Sequence, residues 1–179
     1  MRKVPTLFAR NPDDMRHVTR HVNPAARWVL GGPARATRKY DGSCMLLDEE
    51  GRWWARREVK QGKPFPPNYR EVETDPNTGK TVGWEPIEQS PFYKHMPVID
   101  SAVMMPGTYE LIGPKINGNP EGWAGHALVP HAEADDLGDV PLDFDGLAEW
   151  LHAHDFEGIV WHHPEDGRMV KIKKRDFPA

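Results

Sequence analysis

A lysine in the run "KYDG", residues 39 to 42, opens a strand-like segment, "ATRKYDGSCMLL". A lysine amine is a weak nucleophile while it holds its proton at the ordinary pKa of about 10.4, so Lys39 would need neighbouring cations or a metal ion to act as one. Lys171 and Lys173, in "MVKIKK", are candidates. Residues two apart on a strand point to the same face, so these ammonium groups aim at one place while Ile172 enters the other side. Two cations at fixed separation can hold a triphosphate, neutralise charge on a pentacoordinate phosphorus and discourage protonation of a third lysine. Taken alone, "KIKK" equally describes an exposed basic edge strand. Glu110 in "YELIG" and Glu157 in "FEGIV" stand at or near the start of apolar strands. Carboxylates turned into a cleft from strands suit Mg²⁺, which takes oxygen ligands and keeps waters and substrate phosphates. A cation between Glu157 and Lys39 would reverse the local electrostatics, because the carboxylate alone favours the protonated lysine. Singly, each carboxylate also fits a solvated strand end.

Positioning these groups requires strands. Eighteen prolines and sixteen glycines cut the chain into short pieces, and those that alternate apolar and polar residues are of strand length. "SCMLLDEEGRWWARREV" predicts two strands around a turn at Glu49 to Gly51, and "YREVETDPNTGKTVGWEPI" a second hairpin. "GTYELIG" is a further strand, and "GIVWHHPEDGRMVKIK" a hairpin turned at Pro164 to Gly167. Phe144, Leu147, Ala148 and Leu151 recur at helical spacing behind an N-cap at Asp143, and "NPDDMRHVTRHV" reads as a short helix. The loops around "KQGKPFPPNY" and "GPKINGNPEGWAGHALVP" are long, and long loops in compact domains are often functional. One of the adjacent tryptophans 53 and 54 should face the core and the other solvent.

The length of 179 residues fits one domain with a real core. Lys and Arg number 23 against 27 Asp and Glu, a net charge of -4, so overall charge does not announce a nucleic-acid binder. Its distribution is uneven: residues 1 to 40 hold nine Lys/Arg and two acids, residues 131 to 157 nine acids and no Lys/Arg, and residues 168 to 179 five basic groups and one acid. Both basic segments could meet phosphates; they could equally be solvated faces. The single cysteine, Cys44, excludes an intrachain disulfide, and no run is apolar enough to span a bilayer or serve as a signal peptide. A soluble, cytoplasmic protein is expected. A lone cysteine in an apolar strand reads as a small buried hydrophobe. Of nine histidines, the pairs at 17 and 21, 152 and 154, and 162 and 163 lack a carboxylate or cysteine at ligand spacing, which argues against zinc; His162 and His163 could line a pocket behind Glu157. "GGPARATRK" resembles a phosphate-binding loop but lacks the second glycine before the lysine and the Ser/Thr after it.

The ordered set "KYDG", "WARREVK", "YELIG", "EGIVW" and "MVKIKK" resembles the covalent nucleotidyltransferases, the superfamily of ATP-dependent DNA ligases, RNA ligases and mRNA capping enzymes. "KYDGSC", "WAR", "ELIGPKINGNP", "LVPH" and "EGIVWHH" look closest to the small 5′-to-3′ RNA ligases of the kind also found in vertebrates, over roughly residues 36 to 175. The resemblance implies an α+β, ATP-grasp-like domain of mainly antiparallel strands in two packed sheets, with helices outside and an ATP pocket between the sheets. It implies Lys39 as the nucleophile that takes AMP, with Asp41 and Gly42 shaping the turn beside it. Arg56, or less favourably Arg57, would contact ribose or phosphate, Glu110 the ribose, Lys171 and Lys173 the phosphates, and Glu157 the Mg²⁺ or Mn²⁺ ion. Two departures stand out: Cys44 replaces an arginine common in ligases, and the aromatic that stacks on the base has no clear counterpart, Trp123 and Phe92 being guesses. Few residues follow "KIKK", so no OB-fold domain is expected. RNA with 5′-phosphate and 3′-hydroxyl ends is the implied partner, gripped by a basic surface that includes Arg10, Arg16, Arg20 and Arg27, with no protein partner evident. A DNA ligase, a GTP-using relative and a non-catalytic RNA-binding module remain the alternatives.

Overall fold

The computed structural model describes residues 1–179 and is of the α+β class, mostly antiparallel sheet with few helices. No helix is long and apolar enough to cross a membrane. The chain forms two compact units, one of Val4–Tyr40 with Ala134–Ala179 and the other of Met1–Lys3 with Asp41–Glu133. The boundary therefore falls inside the "KYDG" run.

In the first unit, strands β1 (Phe8–Asn11) and β2 (Asp14–Val22) pair as a hairpin. A helical turn α1 (Trp28–Gly31) leads to β3 (Arg35–Lys39). The segment expected as a helix from "NPDDMRHVTRHV" is thus a hairpin. Asn11 pairs with Asp14 and its side-chain carbonyl accepts from the Asp13 amide, a turn that the Asn-Pro-Asp run favours over continued helix. Phe8 and Val18 then enter the core. The unit's other strands form the three-stranded order β11–β10–β3, with β10 (Gly158–His162) central and β11 (Met169–Lys173) beside it. The single longer helix, α2 (Phe144–Ala153), follows the spacing of its apolar residues, and the Asp143 side chain accepts from the Gly146 amide as its N-cap. Leu147 and Leu151 of α2 are fully buried with Ile159, Trp161, Val170 and Ile172. Phe8, Phe144 and Phe177 meet edge to face, with the closest centroids 5.0 Å apart.

The second unit is one antiparallel sheet of β4 (Ser43–Leu47), β5 (Trp53–Val59), β6 (Arg70–Thr74), β7 (Thr81–Pro86), β8 (Gly107–Ile112) and β9 (Ala127–Pro130), in the order β6–β7–β5–β4–β8–β9. Met45, Leu47, Ala55, Tyr109 and Leu111 supply its buried face. Both tryptophans are packed: Trp54 is buried, with its Nε1–H donating to Asp48, and Trp53 lies edge to face on Tyr109. Asp48 also accepts from the Glu50 and Arg52 amides, which ties the β4–β5 turn where Gly51 adopts φ 78°.

Backbones approach most closely at Gly158, where an added Cβ would lie 2.1 Å from the Ile172 carbonyl oxygen. Side-chain rotation cannot relieve a clash with backbone. Gly158→Ala is expected to destabilise the protein by about 1–3 kcal/mol, as overpacking does; a urea unfolding midpoint equal to wild type would refute this close contact.

Candidate active site

Two sets of chemistry-bearing residues emerge, one in each unit. In the first, Gly158 of β10 pairs with Lys39 of β3 on one side and Lys173 of β11 on the other. Three strands thus place the two lysines level with each other, with Glu157 just ahead of the central strand. Glu157 Oε2 accepts from Lys39 Nζ at 2.5 Å and Oε1 from Lys173 Nζ at 3.0 Å. The three side chains are largely buried, at 19%, 10% and 17% exposure for Lys39, Glu157 and Lys173. Burial pushes the Glu157 carboxyl up, but the charges and hydrogen bonds of Lys39 and Lys173 outweigh it and hold the group below its ordinary value of 4.5.

Backbone contacts brace this centre. The Lys173 amide donates to Asp176, whose buried carboxylate also accepts from Arg10, and the Lys174 amide donates to the Glu157 carbonyl. The far edge of β3 is held by the Arg38 amide on the Asp135 carbonyl and by Tyr40 Oη on the Asp135 carboxylate. On the far edge of β11, the Lys171 amide donates to the Pro5 carbonyl and its carbonyl accepts from Leu7. These contacts displace the alternative of an exposed basic edge strand. Lys171 shares the Lys173 face of β11, while Val170 and Ile172 are buried on the other.

In the second unit, the Asp41 amide donates to Glu121, and Asn117 Nδ2 donates to the Asp41 carboxylate and the Gly42 carbonyl. A Cβ on Gly42 would lie 2.2 Å from the Leu111 carbonyl oxygen, so only glycine lets this turn cross β8. Cys44 stands opposite Glu110, and its neighbour Met45 pairs with Ala55, the neighbour of Arg56. Alternation along the strands puts Cys44, Glu110 and Arg56 on the face opposite Met45, Ala55 and Tyr109. Arg56 Nη1 donates to the Met1 carbonyl at 2.8 Å. Arg57 points the other way and lies 3.7 Å from the buried Glu85. Glu110 is buried and accepts from His131 at 2.7 Å. Phe92 packs against the Met45 cluster, whereas Trp123 is 47% exposed in a turn closed by two bonds with Asn119. Among the N-terminal arginines, Arg10 is bound to Asp176, Arg16 to Asp14 and Arg20 to Asp145, and Arg27 is exposed.

Sequence reasoning misses His131, Asn117 and Asp176. The motifs "LVPH" and "INGNP" contain the first two without assigning either a role. His131 belongs to none of the histidine pairs weighed in the sequence, yet its ring comes beside Cys44 and Glu110. Those partners are 87 and 21 residues away in the chain, so no local spacing reveals them.

The first unit thus holds a buried carboxylate with a lysine on each oxygen, and the second a buried carboxylate on an antiparallel sheet beside a histidine. The family model "RNA ligase 1" matches residues 95–178. The chain is 36% identical over 81 residues to RNA ligase 1 of Danio rerio, covering 41% of this chain and 25% of that protein. It is 29% identical over 160 residues to RNA ligase 1 of Pongo abelii, covering 68% of this chain and 46% of that protein. The chain thus spans less than half the length of these curated relatives. Over these residues the chain is similar to RNA ligase 1 proteins.

Because the folded Glu157 carboxyl titrates below 4.5, its ionised form adds stability that is complete above that value and is lost as pH falls through the depressed one. Glu157→Gln is therefore expected to lower the urea midpoint at neutral pH, with the gap closing in acid. A gap independent of pH would contradict the charge pairing.

Proposed function

We propose that the chain is the adenylyl-transferring part of an ATP-dependent RNA ligase that joins 5′-phosphate and 3′-hydroxyl ends. The observation that carries this reading is the buried Glu157 carboxylate with Lys39 and Lys173 on its two oxygens. In the first step Lys39 Nζ attacks the α-phosphorus of ATP, a P–N bond forms and pyrophosphate leaves. The amine must first lose its proton to solvent, a loss that the neighbouring Lys173 ammonium favours, while Glu157 in hydrogen-bond contact fixes the position of Nζ. Lys173 and Lys171, on one face of β11, neutralise the triphosphate as charge shifts to the leaving group. In the second step the RNA 5′-phosphate attacks the same phosphorus and frees Lys39. In the third, the RNA 3′-hydroxyl attacks the activated 5′-phosphorus and AMP leaves. Splitting one difficult displacement into covalent stages is the gain of a nucleophilic intermediate.

Glu157 offers an ionised, hard oxygen donor that fits Mg²⁺ or Mn²⁺. Such an ion bound there would supply positive charge to the phosphates. Glu110 and Arg56, on one face of the second unit's sheet, serve as the contacts to ribose and phosphate, and Asp41 and Gly42 hold the turn that follows the nucleophile. The RNA backbone would be met by exposed basic groups, making binding salt-sensitive.

The test is end-joining of a labelled 5′-phosphorylated RNA with ATP and Mg²⁺, compared with an RNA blocked by a 3′-phosphate. Wild type should join only the 3′-hydroxyl RNA, and Lys39→Ala should lose essentially all joining. Supplied with an already 5′-adenylylated RNA, Lys39→Ala should recover joining, since only the third step remains. Joining by folded Lys39→Ala from ATP at the wild-type rate would refute the assignment.

A further inference from the structure

The face of the second unit's sheet that carries Glu110 holds a cluster of which the ligase reading uses Glu110 alone. Cys44 of β4 is directly opposite Glu110 of β8. His131, in the 3-10 turn His131–Glu133 after β9, lies over the same strand, with Nε2 2.7 Å from Glu110 Oε2 and Nδ1 2.9 Å from Thr108 Oγ1. Thr108 and Glu110 are two residues apart on β8 and share a face, so a single imidazole spans both. The ligand atoms of Cys44, Glu110 and His131 all lie within 4.8 Å of one another.

We propose that Cys44, Glu110 and His131 form a binding site for a divalent cation of the zinc class. Tetrahedral zinc, with bonds of about 2.0–2.1 Å to nitrogen and oxygen and about 2.3 Å to sulfur, sets its ligand atoms about 3.3–3.5 Å apart. The cluster needs only side-chain adjustments to reach that spacing, because the strand register already aligns Cys44 with Glu110. The ring of His131 is oriented from behind by Thr108, the arrangement in which a metal-bound imidazole keeps its second nitrogen on a hydrogen-bond partner. Thiolate, imidazole and carboxylate together select Zn²⁺ or Co²⁺ over Mg²⁺, which prefers oxygen alone. Uptake releases the Cys44 thiol proton to solvent, and the imidazole binds through Nε2 with its own proton on Nδ1, toward Thr108 Oγ1. Side-chain exposure of 27% at His131 and 10% at Glu110 leaves the cluster open enough to receive an ion, with a fourth position for water. An ion held there would also withdraw Glu110 from ribose, a consequence that rests on the ligase reading; the binding itself does not.

The full chain titrated with Co²⁺ tests this directly. Cys44 is the single cysteine, so a thiolate-to-cobalt charge-transfer band in the near ultraviolet can come from no other residue. About one Co²⁺ per chain should raise the band, Zn²⁺ should bleach it and Mg²⁺ should not. Cys44→Ser should abolish it. Thr108→Val, which keeps the shape but removes the hydroxyl behind His131, should weaken cobalt binding by roughly 10–100-fold, and His131→Ala by at least as much. Zn²⁺ should likewise shield Cys44 from alkylation in wild type and far less in either variant. No band in folded wild type, or cobalt affinity in folded His131→Ala and Thr108→Val equal to that of wild type, would overturn the site. A cobalt band in a protein that transfers no AMP would leave this site standing and remove the ligase reading.

Discussion

A carboxylate with an ammonium group on each oxygen, largely shut from water, is the constraint around which the first unit is organised. Removing Glu157 would leave Lys39 and Lys173 as like charges on neighbouring strands; removing either lysine would leave a buried carboxylate short of a partner. Either loss is costly, because buried charge is tolerated only when paired. The surrounding architecture reflects this. Gly158 brings three strands into register at the level of the two lysines, Asp176 and Arg10 fix the backbone of Lys173, and Leu147, Leu151 and Ile159 seal the unit's core. The same pairing that stabilises the fold fixes the Lys39 amine on a buried carboxylate.

The second unit solves a different problem with the same device of strand register. Cys44, Arg56 and Glu110 come from three adjacent strands and share a face because apolar neighbours occupy the other face, with Cys44 directly opposite Glu110. Gly42 lets the chain cross β8 at a distance that no other side chain permits. By its resemblance to the ligases, Cys44 stands where many of them carry an arginine. His131 lies against Glu110 there, with Thr108 on its other ring nitrogen.

Much of this is legible in the sequence because short-range signals carry it. The β4–β5, β6–β7 and β10–β11 hairpins and helix α2 follow alternation, turn residues and an N-cap, all contained within about twenty residues. The Lys39, Glu157 and Lys173 set is legible as motifs in order, although the direct pairing of Glu157 with both lysines comes from the three-strand register and not from any spacing. The hairpin at residues 8 to 22 misleads, because His17, Val18 and His21 also fit a helical period and only the packing of Phe8 and Val18 decides between the two. His131 and Asp176 escape notice for a related reason. Each acts on partners far away in the chain, and sequence periodicity carries no information about such contacts.

One covalent bond, from Lys39 Nζ to the phosphorus of AMP, tests the role of the buried pairing most directly. Intact-mass measurement of the protein after incubation with ATP and Mg²⁺, followed by peptide mapping, should find one added AMP, on the peptide containing Lys39 and bound to its Nζ. A folded protein that gains no AMP, in a sample shown not to carry it beforehand, or that gains it on another residue, would contradict Lys39 as the nucleophile and Glu157 as the carboxylate that holds it ready.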